Sequence, residues 1–166
     1  FGEAFLTRAR AILRDVDALS DLARAAHDGL TGRLRLGVIP TIAPYLLPTV
    51  LPALSKARPG IDVHIRETVT PRLVSELLDG KLDAAIVALP LGEPALIEAP
   101  LFDEDMVLVR PQADANAVIP TPDQLAAMRL LLLEEGHCFR DQALSFCNVG
   151  TGAREGLDGS ALSTLV

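Results

Sequence analysis

The fold is decided by the run Leu34-Arg35-Leu36-Gly37-Val38-Ile39, which follows a helix-breaking segment at residues 29–32. A short, mostly apolar run of this length is typical of a β-strand. Four more segments of the same kind are predicted as strands: Ile61–Glu67, Leu82–Leu89, Met106–Val109 and Leu130–Leu133. Their alternation with helical stretches predicts an α/β fold with a largely parallel sheet.

Two helices are predicted between the first three strands, over Thr41–Ala57 and Pro71–Leu78. The first contains three prolines: Pro44, Pro48 and Pro52. The earliest of these suits a first helical turn, but the two later ones are expected to bend or interrupt the helix. The second helix is predicted to begin behind Thr70 as its N-cap and to end at Gly80.

The chain is predicted to divide into three parts. Residues 1–32 form a linker helix and hinge, residues 33–102 a first lobe, and residues 103–166 a second lobe. The boundary between the lobes lies where the sequence leaves the first sheet, ahead of a proline-rich stretch at residues 111–122. Because both ends of the sequence are abrupt, we interpret it as a fragment whose second lobe is incomplete.

The first 30 residues contain no proline and carry apolar residues at steps that alternate between 4 and 3: Phe5, Ala9, Ile12, Val16, Leu19, Ala23, Ala26 and Leu30. This spacing is a heptad seam. Such a stripe could also face the chain's own domain. The opposite face is strongly charged, however, and a glycine-containing hinge follows, so the pattern favours a dimerising linker helix.

The charge balance limits what this chain could bind. Its 166 residues include 15 Lys and Arg against 22 Asp and Glu, which gives a net charge of −7. Unaided binding to DNA or to an acidic membrane is therefore disfavoured. The sequence has no apolar run near the roughly 20 residues of a membrane span and no signal-peptide core, so we expect a cytoplasmic protein without membrane contact.

The two cysteines lie in the most chemically concentrated segment of the sequence. Cys138 follows His137 and precedes Arg140 at the expected start of a helix that runs towards Cys147. A helix N terminus and cationic neighbours favour the thiolate, which is the form that peroxides oxidise. Two cysteines are too few for a disulfide-scaffolded secreted fold. Inert packing of either thiol is the ordinary alternative.

The spacing of nine residues between Cys138 and Cys147 bears on any disulfide. Nine residues of an α-helix rise about 13.5 Å, whereas a disulfide requires α-carbons within about 7 Å of each other. If this segment is helical when reduced, the residues between the cysteines must unfold locally before the sulfurs meet. A disulfide that requires such a rearrangement suits a conformational switch better than a permanent structural cross-link.

Thr41 and Thr70 each follow a predicted strand and precede or begin a predicted helix. Open α/β sheets bind ligands at this carboxyl edge, although both threonines could be plain helix caps. We interpret His27 and His64 as ordinary surface or packing residues. The sequence has no metal-ligand spacing, glycine-rich phosphate loop or Ser-His-Asp set, so we expect neither a metal nor a cofactor.

Several motifs resemble the regulatory part of LysR-type transcriptional regulators. They are Gly32–Gly37 with Ile39–Thr41, Pro44–Pro48, Leu78–Asp83 and Pro100–Glu104. The run Gly136–Gln142, with Cys147 nine residues after Cys138, is similar specifically to the peroxide-sensing members of that family. The resemblance covers essentially the whole chain.

This resemblance implies a periplasmic-binding-protein-like, two-lobed α/β regulatory domain preceded by a long dimerising linker helix, with the second lobe truncated here. It also implies an upstream winged helix-turn-helix domain, absent here, through which alone promoter DNA would be bound. Homodimers or homotetramers would form through the linker helix and the regulatory domains. RNA polymerase is a candidate partner.

The resemblance further implies roles for the residues around the cysteines. Cys138 would react with peroxide to give a sulfenic acid, and Cys147 would resolve it into a reversible disulfide. His137 and Arg140 would assist the thiolate, while Asp141 would hold the helix and its neighbours in place. The protein would then be a sensor that regulates transcription rather than an enzyme.

The peroxide pocket implied by the resemblance is lined by Thr41, Thr70, His137 and Cys138. Three other functions remain open. A LysR-type domain could instead bind a small organic effector, and the cysteines would then be incidental. A thiol peroxidase could use the same chemistry for turnover but would have no use for the heptad seam. A transport binding protein would share the fold but not the linker.

Overall fold

Three parallel strands form the sheet that organises the first half of the molecule. The computed structural model describes residues 1–6, 8–9, 11–13, 15–16, 19, 31–114, 116–128, 130–147, 158–159 and 161–165. Strand β1 (Gly32–Val38) lies between β2 (Ile61–Glu67) and β3 (Ala84–Ile86). Both pairings are parallel, as predicted for a chain in which helices connect successive strands.

The carboxyl-terminal half of the central strand β1 is buried. Leu36 and Val38 pack with Ala43 in one apolar cluster. A second cluster consists of Ile39, Leu73 and Leu82. Gly37 permits this close packing, because a Cβ at that position would lie 2.6 Å from Leu73 Cδ2 and 2.9 Å from Leu82 Cδ1.

An ion pair between Arg35 and Asp83 holds β1 and the start of β3 in register. Arg35 Nη2 lies 2.6 Å from Asp83 Oδ1, Arg35 Nε donates to Oδ2 at 3.1 Å, and the Arg35 backbone N–H donates to Oδ2 at 2.7 Å. Partial burial raises the pKa of Asp83, but the side-chain and backbone hydrogen bonds from Arg35 and its positive charge together bring it below the ordinary value.

Two helices cover this sheet, α1 (Ala43–Ala57) and α2 (Thr70–Leu78). Helix α1 runs through Pro48 and Pro52 without a break, so the expected interruption is wrong. Their spacing of four places both prolines on one exposed face of the helix. The carbonyls left without a helical donor can be solvated there, which lowers the cost of each proline.

The end of α2 is predicted correctly and its beginning is not. The helix closes at Gly80, which has a φ of 64°. The N-cap is Val69 rather than Thr70, and no side chain caps the helix. Thr70 is already the first helical residue, where its backbone geometry does not suit a capping hydroxyl.

The remaining predicted strands are shorter than expected or absent. Strand β3 covers only part of Leu82–Leu89, and β4 covers only Leu132–Leu133. Residues 106–109 form no strand, and their apolar side chains are exposed. A strand requires a hydrogen-bonded neighbour, and none of the described residues pairs with this segment.

The second half of the molecule has its own small sheet and buried residues. Strand β4 pairs in parallel with β5 (Asp158–Gly159), and the helices are α3 (Pro122–Ala127), α4 (Cys138–Phe146) and α5 (Leu162–Leu165). Among the residues described in this half, the buried apolar ones are Leu125, Leu133, Leu144 and Cys147. The exact boundary between two lobes stays a prediction.

The amino-terminal residues are helical wherever the structure describes them, between residues 2 and 19. The seam residues described there are largely exposed: Phe5, Ile12, Val16 and Leu19. Ala9, another seam residue that the structure describes, is partly buried, whereas Ala23, Ala26 and Leu30 of the predicted seam, together with His27, lie outside the described residues. Among the described residues, no helix has the length and apolar character needed to cross a membrane.

Candidate functional site

The carboxyl ends of β1 and β2 lie side by side because the two strands are parallel and Val38 pairs with Glu67. Thr41 and Thr70 each follow three residues later, and both are partly buried. Neither threonine is the N-cap of the adjacent helix. Their alternative interpretation as plain helix caps is therefore not supported by the geometry.

Thr70 presents an unusual polar atom at this edge of the sheet. Its Oγ1 is buried and has no hydrogen-bond partner within the described part of the chain. A buried hydroxyl without a partner costs about 1–3 kcal/mol, and such groups in folded proteins call for a specific explanation. A small polar ligand that donates or accepts a hydrogen bond would satisfy this atom.

Cys138 is brought to the same edge by the turn between β4 and α4. Its partly buried side chain packs against the cluster of Ile39, Leu73 and Leu82. Ile39 lies two residues before Thr41, and Leu73 lies one helical turn after Thr70. The structure thus gathers the two threonines and this thiol around one end of the sheet.

His137 is the N-cap of α4 and is buried, with 4% of its surface exposed. Its carbonyl accepts hydrogen bonds from the backbone N–H groups of Arg140 at 3.0 Å and Asp141 at 3.4 Å. Its Nε2 lies 4.0 Å from Glu134 Oε1. The imidazole does not cap the helix. It is buried in the residue directly before Cys138, the cysteine that is expected to react.

Arg140 and Asp141 occupy the first turn of α4. Arg140 Nη1 donates a hydrogen bond of 2.8 Å to the backbone carbonyl of Leu133. This bond ties the start of the helix to the end of β4. Asp141 is exposed, and its carboxylate at the amino end of the helix is favourable for the helix dipole.

Cys147 lies at the opposite end of the same helix, as its C-cap. Only 4% of its surface is exposed, and its backbone N–H donates to the Ala143 carbonyl at 3.1 Å. Both cysteines are free thiols. The predicted helix between them is confirmed, and a nine-residue helical separation of about 13.5 Å keeps the two sulfurs apart.

Two features of the site could not be read from the sequence. Gly136 adopts a φ of 91°, and a Cβ there would lie 3.5 Å from Val69 Cγ2. The Arg140 bond to Leu133 is the second feature. The glycine is a visible signal for a sharp turn, but its neighbour in space depends on the tertiary path of the chain.

Residues 27–153 match the LysR substrate binding domain family. A probable hydrogen peroxide-inducible genes activator from Streptomyces viridosporus is 45% identical over an alignment of 170 positions, which covers 99% of this chain and 54% of that protein. The DNA-binding transcriptional dual regulator OxyR of Escherichia coli is 42% identical over an alignment of 150 positions, which covers 88% of this chain and 48% of that protein. The chain thus spans about half the length of these relatives.

This chain also resembles solved structures of OxyR. The reduced form of OxyR superposes with a TM-score of 0.66 and 40% identity, covering 81% of this chain and 64% of that one. A peroxide-bound cysteine mutant of Corynebacterium glutamicum OxyR superposes with a TM-score of 0.72 and 34% identity, covering 98% of this chain and 53% of that one. The oxidised form of OxyR superposes with a TM-score of 0.64 and 41% identity, covering 81% of this chain and 65% of that one. The expected periplasmic-binding-protein-like α/β fold and the resemblance to peroxide-sensing regulators are confirmed.

Proposed function

Because the chain belongs to the LysR substrate binding domain family, we propose that it is the hydrogen peroxide-sensing part of a transcription regulator. One arrangement carries this proposal. Cys138 begins α4 directly after the buried His137 and packs at the sheet edge where Thr70 Oγ1 is unpartnered. A second free thiol, Cys147, lies at the other end of the same helix.

Hydrogen peroxide suits this edge because it is small, uncharged and able both to donate and to accept hydrogen bonds. In the proposed pocket, the Thr41 and Thr70 hydroxyls hold the peroxide, and Cys138 lies beside it. Occupation of the pocket would give Thr70 Oγ1 the partner that it lacks among the described residues. His137 completes the pocket as a buried neighbour of the thiol.

In the first chemical step, the Cys138 thiolate attacks one oxygen of the peroxide. A sulfur–oxygen bond forms, the oxygen–oxygen bond breaks, and the departing hydroxide takes up a proton to become water. The sulfur is oxidised by two electrons to a sulfenic acid, and the peroxide is reduced. We assign the proton handling to His137, which directly precedes the cysteine, and thiolate assistance to Arg140.

In the second step, the Cys147 sulfur attacks the Cys138 sulfur. The sulfur–sulfur bond forms as the sulfur–oxygen bond breaks, and the leaving oxygen departs as water with the proton of Cys147. Because Cys147 is buried at the far end of α4, this step requires that the helix between the cysteines be lost. The Asp141 and Arg140 interactions in the first turn would be lost with it.

The assembly and partners of the whole regulator follow from the same family. We infer that the exposed seam residues pair two copies into a dimer, from which tetramers can form through the regulatory domains. Promoter DNA would be bound by a separate winged helix-turn-helix domain, because the net charge of −7 makes this chain a poor ligand for DNA. Contact with RNA polymerase and a cytoplasmic location, where thiols are kept reduced, fit a regulator of this kind.

The test is to map the oxidation products after adding one equivalent of hydrogen peroxide to the reduced chain. We expect a Cys138–Cys147 cross-linked peptide in the unsubstituted chain and a trapped sulfenic acid on Cys138 in Cys147→Ser. The Cys138→Ser variant should give neither product. Oxidation confined to Cys147, or no reaction at equimolar peroxide, would contradict the proposal.

The same experiment separates the sensor from a thiol peroxidase. A sensor should consume about one equivalent of peroxide per chain unless its disulfide is reduced by a dedicated partner. Sustained peroxide consumption with a simple dithiol reductant, at rates typical of turnover enzymes, would favour the peroxidase.

A further inference from the structure

The side chain of Arg140 joins two elements in the second half of the molecule. Arg140 lies in the first turn of α4, and its Nη1 donates a hydrogen bond of 2.8 Å to the backbone carbonyl of Leu133, at the end of β4. Because the guanidinium is a permanent cation, this bond is charge-assisted and is stronger than a hydrogen bond between neutral groups.

The acceptor of this bond is closed off from solvent. Leu133 exposes 0% of its surface, so water cannot take the place of the Arg140 donor while β4 keeps its position. A buried polar group that loses a partner costs free energy, whereas a solvated group would exchange the lost bond for one with water. The end of β4 is therefore stabilised by a donor that α4 supplies.

This donor lies on the stretch of chain that the proposed disulfide must rearrange. Arg140 stands between Cys138 and Cys147, and its backbone N–H donates to the His137 carbonyl at 3.0 Å within the first turn of α4. A nine-residue helical separation of about 13.5 Å must shrink to about 7 Å between the α-carbons of a disulfide. When α4 is lost, the backbone that carries the guanidinium moves, and the Leu133 carbonyl loses this donor.

Strand β4 is in turn connected to the elements that follow α4 in the chain. Leu133 pairs with Gly159 of β5 in a parallel register. Helix α5 contacts both strands of this small sheet. A change at the end of β4 is therefore passed on to β5 and α5 through strand pairing and packing.

We propose that Arg140 couples the redox state of the two cysteines to the β4–β5 sheet. In the reduced chain its hydrogen bond holds the end of β4, and in the disulfide form this bond is broken and the sheet loosens. The inference rests on the proposed peroxide-sensing function and adds a second place, outside α4, where oxidation changes the structure. This role is separate from the assistance that Arg140 gives to the thiolate.

Hydrogen exchange of a peptide that covers residues 130–136 tests the coupling in the full chain, before and after oxidation by hydrogen peroxide. The appearance of the cross-linked Cys138–Cys147 peptide shows when oxidation is complete. We expect the β4 amides to exchange about tenfold faster or more in the oxidised chain. The exchange of β2, in the other sheet, is the internal reference and should stay nearly unchanged.

Two substitutions of Arg140 test whether its side chain is responsible. Arg140→Gln removes the cationic donor, so it should raise β4 exchange in the reduced chain towards that of the oxidised native chain, and oxidation should then add little. Arg140→Lys keeps the charge but not the guanidinium geometry, so it should cause a smaller rise. These measurements on the reduced chain need no peroxide, and an effect of Arg140 on the thiol therefore does not enter them.

Arg110→Gln is the matched control. Arg110 Nη2 also donates to a backbone carbonyl, that of Ala117 at 2.6 Å, but this bond lies outside α4 and β4. The control should show the same β4 exchange as the native chain in both redox states.

The possible failures are distinguishable. Unchanged β4 exchange in a native chain that has formed the disulfide and lost the protection of α4 overturns the coupling. Equal β4 exchange in the reduced native, Arg140→Gln and Arg140→Lys chains overturns it as well. If Arg140→Gln also loses protection at β2, it has unfolded, and Arg140→Lys decides. A native chain that forms no disulfide would instead overturn the proposed function.

Discussion

Thr70 illustrates how a single residue can lower the stability of the fold and still support function. Its hydroxyl oxygen is buried and has no partner among the described residues. Replacing an unsatisfied buried polar group with an apolar one of the same shape is neutral or stabilising. The presence of a threonine at this position is therefore better explained by a ligand than by folding.

The substitution Thr70→Val tests this interpretation. We expect the free energy of unfolding to stay the same or to rise by about 1 kcal/mol, because the orphaned hydroxyl is removed. The rate of Cys138 oxidation by peroxide should fall, because one hydrogen-bonding group of the proposed pocket is lost. Chemical denaturation and stopped-flow oxidation measure the two effects. A variant that is clearly destabilised but oxidised at the normal rate would show that the hydroxyl is structural.

At the scale of elements, the Arg35–Asp83 pair gives the first sheet a defined dependence on pH. The pKa of Asp83 is lower in the folded chain than its ordinary value of 3.8. A group with a depressed pKa contributes stability that is present above its unfolded-state pKa and is lost as the pH falls through the folded-state pKa. This contribution should therefore be complete at neutral pH and should decline below about pH 4.

The substitution Asp83→Asn should remove that acid-sensitive component. Both side chains are more than a third exposed, so the pair should contribute at most about 1 kcal/mol. Urea unfolding at pH 7 and at pH 3 provides the comparison. The stability gap between the two proteins should narrow at the lower pH. A gap that widens on acidification would contradict the assigned direction of the shift.

The elements that could be predicted from the sequence are those specified by local pattern. β1 and β2 are predicted to within two residues because each is a short stretch with an apolar residue at every second position. The helix that begins at Cys138 is likewise predicted from neighbouring residues. Residues 106–109 show the limit, since an apolar run becomes a strand only when another segment pairs with it.

Some features of the candidate site can also be predicted from local sequence, and others cannot. The position of Cys138 at a helix start and the helical separation from Cys147 follow from nearby residues. The proximity of Val69 to Gly136 does not follow from nearby residues, because 67 residues separate the two in the chain. The lack of a partner for Thr70 Oγ1 among the described residues cannot be predicted from the sequence either, because a threonine before a predicted helix indicates a helix cap.

At the scale of the whole molecule, the exposed amino-terminal seam is proposed to join two copies. Ile12 and Leu19 expose 63% and 65% of their surface in the single chain. Burying apolar side chains of this size contributes about 1.5–3 kcal/mol each. Ile12→Asp, alone and combined with Leu19→Asp, should therefore raise the dissociation constant tenfold or more.

Light scattering across a dilution series measures this effect. Ala11→Asp serves as the control, because it adds the same charge one position away from the seam. The control should associate nearly as well as the unsubstituted chain. Equal masses for all variants at every concentration would reject the seam as the dimer interface.

The central claim is that α4 must be lost when the two cysteines join. Hydrogen exchange across residues 138–147, in the reduced and the peroxide-treated chain, tests it most directly. The backbone N–H of Cys147 is bonded to the Ala143 carbonyl in the reduced chain, and this amide should lose protection on oxidation. Cys147→Ser, treated with the same peroxide, should keep the protection of the helix. If the Cys138–Cys147 disulfide forms while exchange across α4 stays unchanged, the helix-loss mechanism is wrong.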